Sequence, residues 1–298
     1  MTANDLSNAA DLACFYALQE SDRPLSAQYW DERAARWSHA RAGRQKDDSR
    51  VESAVDFLAR RGLLQPDFAV ADIGCGPGRF AAAFGARVHR VEGFDLSARM
   101  IDLGRAHVRE QGLTNVTLHA CDSAALDLDA AGYRGAFDLV FSSMTPAIRG
   151  RDALEKSMAM SRAWCCNITH LSGRNHLHAR LLREVFGTDY RAPWSGRWFY
   201  SLFNVLFLLG YAPETSYENR HQELLICPDG EYVSYLMAHA LPAEARTAAN
   251  GEKIRRWLHT QENEDGLVRE VIDTTYGRTL WDVRARTARP DLRDRGRL

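Results

Sequence analysis

The sequence predicts an α/β fold, a parallel sheet with helices on both faces, on three observations. The first is the stretch from Phe68 to Phe80. An apolar run ends at Asp72, turns through Gly74, Gly76 and Gly78, and enters an alanine-rich segment. A buried strand, a tight loop and the first turn of a helix produce that pattern, because glycine tolerates the torsions of a sharp turn. The second is the alternation of strand and helix periodicity from residue 80 to 168, at the length of repeated β-α units. The third is that Asp72, Asp95 and Asp122 each close a successive predicted strand. The carboxyl ends of the strands are where open α/β sheets bind ligands.

Residues 1–61 read as helices. Leu12, Phe15 and Tyr16 share one apolar face; Trp30, Ala34 and Trp37 form another at helical spacing, with Gly43 as a stop. Ser49-Arg50-Val51-Glu52 has the form of a capping box, opening a helix that buries Val51, Val55 and Leu58 and ends at Gly62. After the glycine loop a helix covers Phe80 to Ala86, and a strand runs from Val88 to Phe94 and meets Asp95. Ser97 is an N-cap for a helix through Met100, Leu103 and Val108 that stops near Gly112. Val116, Leu118 and Ala120 alternate as a third strand, Phe137 to Phe141 is a fourth, Asp152 to Met160 a helix, and Trp164 to Ile168 a fifth strand. Right-handed crossovers between parallel strands then restrict the topology. Beyond residue 172 the rhythm changes. An aromatic-rich helix spans Trp198 to Leu209, a strand Thr215 to Ile226, a helix Ala243 to Thr260, and a last strand Gly277 to Val283. The expected organisation is a helical segment 1–60, a domain 61–286 with helical insertions near 174–211 and 229–262, and an Arg/Asp/Pro/Gly tail, 287–298, read as flexible.

Composition narrows the function classes. Hydrophobic residues at 45% and charged residues at 26% are those of an ordinary soluble globular protein. A net charge of −1 supplies no global field for nucleic acid or an anionic membrane. The six cysteines form no CxxC pair, so zinc-ribbon and iron–sulfur readings have no support, and scattered thiols suit a reducing compartment. The N-terminus has no positive region ahead of an apolar one. The most apolar run, Trp198 to Tyr211, is too short for a bilayer and is interrupted by Ser201 and Asn204. The reading is a cytoplasmic protein with no membrane span and no bound metal.

The glycine spacing selects the ligand. A dinucleotide loop, Gly-x-Gly-x-x-Gly, would need its third glycine at Arg79. The pattern is instead Asp72-x-Gly74-x-Gly76-x-Gly78, which resembles motif I of the class I S-adenosylmethionine-dependent methyltransferases. The resemblance covers residues 60–170 and implies a seven-stranded, mostly parallel Rossmann-like sheet with an antiparallel last strand and an N-terminal helical lid. It implies S-adenosyl-L-methionine as cofactor, with its methionine tail over Asp72, Gly74, Cys75, Gly76 and Gly78. Asp95 is placed to accept from the ribose hydroxyls, Leu96 and Met100 to pack on the adenine faces, and Asp122 with Ser123 to meet the adenine edge. Ser142, in the loop after the fourth strand, falls where the family places groups facing the transferred methyl. The segment Gln28 to Ala34 resembles the family's lid, in which an aromatic at Tyr29 closes over the sulfonium.

Each of these positions also has a plainer reading. Asp72 caps the loop, Asp95 precedes a helix, Asp122 makes an Asx turn, and Tyr29, Trp30 and Trp37 attach a helix to the domain. The candidates for catalysis are Tyr29 and His170, with Arg174, Asn175, His176, His178 and His221 as other polar groups of the fifth and sixth strand region. The function expected is methyl transfer to a small-molecule acceptor by in-line displacement. Ser142-Ser143-Met144-Thr145-Pro146 differs from the Asn/Asp-Pro-Pro-aromatic loop of base amino-methylases, so no nucleic-acid partner is expected. The alternatives are a non-catalytic S-adenosylmethionine-binding protein, and an enzyme acting on RNA or a protein side chain. Arg33, Arg36, Arg41 and Arg44 would supply the basic stripe for RNA.

Overall fold

Strand β1 (Ala69–Ile73) is buried along its whole length, as a central strand covered on both faces must be. The computed structural model describes residues 8–19, 26–31, 34, 49–191 and 195–289. Trp37, Gly43, Arg33, Arg36, Arg41, Arg44 and residues 290–298 of the tail lie outside that set. Six further strands join β1: β2 (Arg90–Asp95), β3 (Val116–Ala120), β4 (Phe137–Ser143), β5 (Ser161–Asn175), β6 (Glu214–Ile226) and β7 (Val268–Asp282), in the order β3-β2-β1-β4-β5-β7-β6. β1 runs parallel to β2 and β4, with Ile73 opposite Phe94 and Asp72 opposite Phe141. β2 is parallel to β3, and β4 to β5. The strand order reverses between β1 and β4, so a crevice opens at their carboxyl ends.

β7 runs against its neighbours. Val283 N–H donates to the Ala163 carbonyl, and the pairs His221–Asp273 and Glu223–Arg269 descend one strand while ascending the other. The sheet is thus mostly parallel with an antiparallel end, as the resemblance implied.

The chain folds as two compact units. The first takes residues 1–169, 197–216 and 278–298. It holds α1 (Ala9–Ala17), α2 (Ser49–Ala59), α3 (Arg79–Gly85), α4 (Ala98–Glu110) and α5 (Arg151–Met160). α7 (Gly196–Leu208) belongs to it as well. One face of β1 and β4, with Ala71, Ile73, Phe137 and Val140, packs with Leu12, Leu154 and the α7 residues Trp198, Leu202 and Leu206. On another side Phe80 and Phe84 each bring a ring centroid 5.0 Å from that of Phe141. The aromatic block predicted for 198–209 is therefore largely core. Polar contacts reinforce it: Ser201 donates to the Phe15 carbonyl at 2.6 Å, and Gln19 Nε2 donates to Ser201 Oγ at 2.8 Å.

The second unit takes residues 170–196 and 217–277. α6 (His176–Phe186), α8 (Gly230–Ala240) and α9 (Ala248–His259) enclose Leu177, Leu181, Leu236, Ile254 and Leu258.

Four segments depart from expectation. β5 and β7 extend to 15 residues each, well past the apolar cores Trp164–Ile168 and Gly277–Val283. Their extensions are mostly half-exposed and mix polar with apolar side chains, so no alternation marks them. The helix expected over 243–260 is broken into a 3₁₀ turn, Ala243–Ala245, and α9, because Thr247 caps a new start by accepting from Asn250 N–H at 3.3 Å. Residues 287–289, at the start of the segment read as a flexible tail, are anchored. Thr287 N–H donates to the Gly210 carbonyl at 2.8 Å, and Arg289 donates to the Tyr211 carbonyl at 2.9 Å. Arginines at the carbonyl-rich end of α7 complement both its unpaired acceptors and its dipole.

Leu202 is fully buried on α7. Leu202→Ala should lower unfolding stability by about 3 kcal/mol in denaturant titration. A loss below about 1 kcal/mol would place α7 outside the core.

Candidate active site

The loop that leaves β1 is stretched over three left-handed glycines: Gly74 at φ 70°, Gly76 at 53° and Gly78 at 69°. They serve different ends. A Cβ on Gly74 would lie 2.0 Å from Thr145 Oγ1, so this glycine exists to let the loop after β4 close beneath it. A Cβ on Gly78 would press within 3.3 Å of Gly104 Cα, which fixes how closely α4 packs on the loop. A Cβ on Gly76 would meet nothing within 4 Å. Of the three, Gly76 alone presents bare backbone to open space.

Cys75, read from the sequence as a cofactor contact, is used up in framing the loop. Its N–H donates to the Phe94 carbonyl at 3.0 Å and its carbonyl accepts from Gly78 N–H at 3.1 Å. Its side chain is buried, against Gly93 where a Cβ would lie 3.0 Å from Sγ, and burial raises the thiol pKa well above its ordinary value.

Asp95 ties the turn together. One carboxylate oxygen accepts from Gly76 N–H at 2.8 Å and the other from Ser97 N–H at 2.9 Å. Ser97 is the expected cap of α4, its hydroxyl oxygen accepting from Met100 N–H at 3.0 Å. An ionised carboxylate has about four acceptor positions, so two remain after these bonds. The N-terminal helical segment docks at the same point: Ser97 Oγ donates to Asp31, which also accepts from Arg99 N–H at 3.3 Å. Sequence reasoning missed Asp31, although its position two residues after Tyr29 in the lid-like stretch was the available signal.

Asp72 lies beneath the loop, 1% exposed, and its Oδ2 has no hydrogen-bond partner. Burial, then the neighbouring Asp95 charge, pushes its pKa up to about 8, partly offset by the Ala81 backbone N–H. Burial likewise raises the Asp95 pKa, against the bonds from Ser97 and Gly76. Among the described residues no lysine, arginine or histidine offsets either carboxyl. The loop thus sits beside two acids without a cationic partner, an arrangement that attracts a cation and repels a pyrophosphate. A ligand with a sulfonium and an ammonium fits it, and the orphaned Asp72 oxygen suits the latter.

The remaining candidates divide. Met100 is buried and Leu96 half-buried near the start of α4. Asp122 is exposed and accepts from Ala124 N–H at 2.9 Å, so it makes the Asx turn of the plainer reading beside buried Ser123. The Ser142 side chain does not face open space. It is 2% exposed and accepts from Asn167 Nδ2 at 2.9 Å, while Asn167 Oδ1 accepts from Trp198 Nε1 at 3.3 Å. In the same loop Met144 is exposed and holds a left-handed φ of 56°, a strain seen at functional turns. Tyr29 is half-buried, its ring edge-on to Trp30 at 5.1 Å. His170 belongs to the second unit and there bonds Ser195 Oγ through Nδ1 at 2.7 Å. His176 and His221 both pair with Asp273, at 2.6 and 2.7 Å. Among the described residues no group of three or more His, Cys, Asp or Glu is placed to hold a metal ion, and no helix is long and apolar enough to cross a membrane.

Comparison with known proteins bears on this crevice. Residues 70–165 match a family model described as a methyltransferase domain. Over those residues, which run from β1 into β5, the chain is similar to a methyltransferase domain. A curated relative, the 23S rRNA (uracil(1939)-C(5))-methyltransferase RlmD of Alcanivorax borkumensis, is 29% identical over 146 residues, 49% of this chain. The match spans about a third of that relative's length. Among solved structures, the YcgJ protein of Bacillus subtilis aligns at 13% identity and a TM-score of 0.47, covering 77% of this chain and 98% of its own. The geranyl diphosphate C-methyltransferase of Streptomyces coelicolor aligns at 16% identity and a TM-score of 0.41, covering 81% and 82%. The matched residues of the methyltransferase domain hold the glycine loop, Asp95 and Asp122, and exclude Tyr29 and His170.

Because the Asp72 pKa lies above its ordinary 3.8, the folded protein keeps a proton that the unfolded chain has released between about pH 4 and 8. Its contribution to stability therefore declines as pH rises through that window. The stability of Asp72→Asn relative to the parent should increase steadily from pH 5 to about pH 8 and level off above it in thermal unfolding. A difference independent of pH would contradict the burial of an uncompensated acid.

Proposed function

We propose that the chain transfers a methyl group from S-adenosylmethionine to a small-molecule acceptor, with the crevice around Gly76, Asp72 and Asp95 as the cofactor seat. The observation that carries this reading is a buried carboxyl, Asp72, and a half-buried one, Asp95, beside an open glycine, with no basic group among the described residues to neutralise them. S-adenosylmethionine, when bound, supplies a methyl carbon already activated by the sulfonium, so the reaction asks chiefly for alignment and exclusion of water. In this scheme the Asp95 carboxylate holds the ribose hydroxyls through its remaining acceptor positions, and Asp72 Oδ2 accepts from the amino group of the methionine tail. Leu96 and Met100 wall the adenine, and Asp122 with Ser123 meets its edge. Tyr29, carried on the segment that Asp31 fastens to Ser97 and Arg99, closes over the site. Gly74, Gly78 and Cys75 act by shaping the loop, and Ser142 by fixing the floor through Asn167.

A small acceptor is favoured by the near-neutral chain, whose net charge of −1 supplies no field for RNA. Methylation of RNA is the second reading, favoured by the rRNA-modifying relative. The two separate by salt: RNA binding weakens steeply with ionic strength through counterion release, and binding of a neutral metabolite does not.

Asp95→Ala should weaken S-adenosylmethionine binding at least tenfold by calorimetry while the circular dichroism spectrum is retained. An unchanged affinity would reject the ribose assignment. Incubation of the parent protein with labelled cofactor and a metabolite extract should label a small molecule. Label found in RNA alone would select the second reading.

A further inference from the structure

The second unit contains a histidine whose tautomer is set by its neighbours. The Ser195 hydroxyl has one proton, and it donates that proton to the His170 carbonyl at 2.6 Å. The same oxygen lies 2.7 Å from His170 Nδ1, so there it must accept, and Nδ1 carries the hydrogen. In the neutral ring Nε2 is then a bare lone pair. Burial lowers the His170 pKa and favours that neutral form. Gly173 leaves room around the lone pair: a Cβ there would stand 3.0 Å from Nε2.

His170 and Gly173 line a cavity of about 760 Å³ that is formed wholly by residues of this unit. The size suits a small organic ligand. Much of the wall is apolar, from Leu182, Phe186, Leu241 and Ile272. A run of rings completes it: Tyr235 lies 5.8 Å from His178 and 4.2 Å from His239, centroid to centroid, and all three line the cavity. Arg174 and Arg191 also line it, against the single carboxylate of Asp189. Arg174 continues into an adjoining groove with Arg180 and Arg183, which extends the positive side.

We propose that this cavity is a binding site for a small hydroxylated aromatic anion, with His170 Nε2 accepting from the ligand hydroxyl and Arg174 facing its anionic group. Ser195 is the positioning residue, since it holds the proton on Nδ1 and turns the lone pair outward. The site rests on residues of the second unit alone and does not depend on the methyltransferase reading.

The test uses the full-length chain and three fluorescent probes: 6-hydroxy-2-naphthoate, 2-naphthoate and 2-naphthol. The hydroxynaphthoate should bind saturably at one per chain, and each probe lacking one polar group should bind at least tenfold more weakly. His170→Leu should abolish the advantage of the hydroxyl while leaving 2-naphthoate binding unchanged. Ala240→Trp, which fills the cavity from a half-exposed position, should abolish binding of all three. Nitrogen-15 spectra of the parent should show Nε2 of His170 unprotonated, and Ser195→Ala should shift the proton to Nε2. Equal affinity for the three probes, no saturable binding, binding that survives Ala240→Trp, or a protonated Nε2 in the neutral parent ring would each overturn the proposal.

Discussion

The Asp95 carboxylate, accepting from Gly76 on one side and Ser97 on the other, is the interaction on which the crevice depends. It joins the end of β2, the apex of the glycine loop and the first turn of α4. Without it Gly76 has no reason to hold a left-handed φ of 53° with its backbone bared, and α4 loses the alignment that places Met100 and Leu96. The same carboxylate raises the pKa of Asp72 through charge, so the structural tie also sets the electrostatics of the site. A single acid therefore carries both shape and sign. Ionising both acids sets two like charges side by side, which a cationic ligand seated as proposed would relieve.

The α/β core was legible because local pattern and tertiary role coincide there. β1 is apolar and buried, its loop is glycine-rich and left-handed, and Ser97 caps the helix it precedes. The extensions of β5 and β7 were not legible, because residues 169–175 and 269–276 mix polar and apolar side chains with no two-residue period, and strand pairing over them comes from partners distant in sequence. The break before α9 turns on one threonine, Thr247, whose capping bond outweighs an otherwise continuous helical pattern.

At the crevice, sequence spacing singled out positions but could not say what each side chain touches. The three glycines look alike on paper, yet Thr145 and Gly104 occupy the spaces beside Gly74 and Gly78, and Gly76 alone is open. Ser142 and Cys75 lie in the right stretches with side chains committed to the interior. Asp31 shows the converse. Its place in the lid-like stretch marked the neighbourhood but not the partner 66 residues away, because its bond to Ser97 depends on how the N-terminal segment docks. Tautomer choice at His170 was equally hidden, since it is dictated by the proton of Ser195, a residue 25 positions further on.

The most direct measurement is a crystal structure of the full chain with S-adenosylhomocysteine. The account predicts the ribose hydroxyls hydrogen-bonded to the Asp95 carboxylate, the amino group beside Asp72, and the Gly76 backbone against the ligand. A ribose held away from Asp95, or a ligand phosphate lying across the glycine loop, would contradict it.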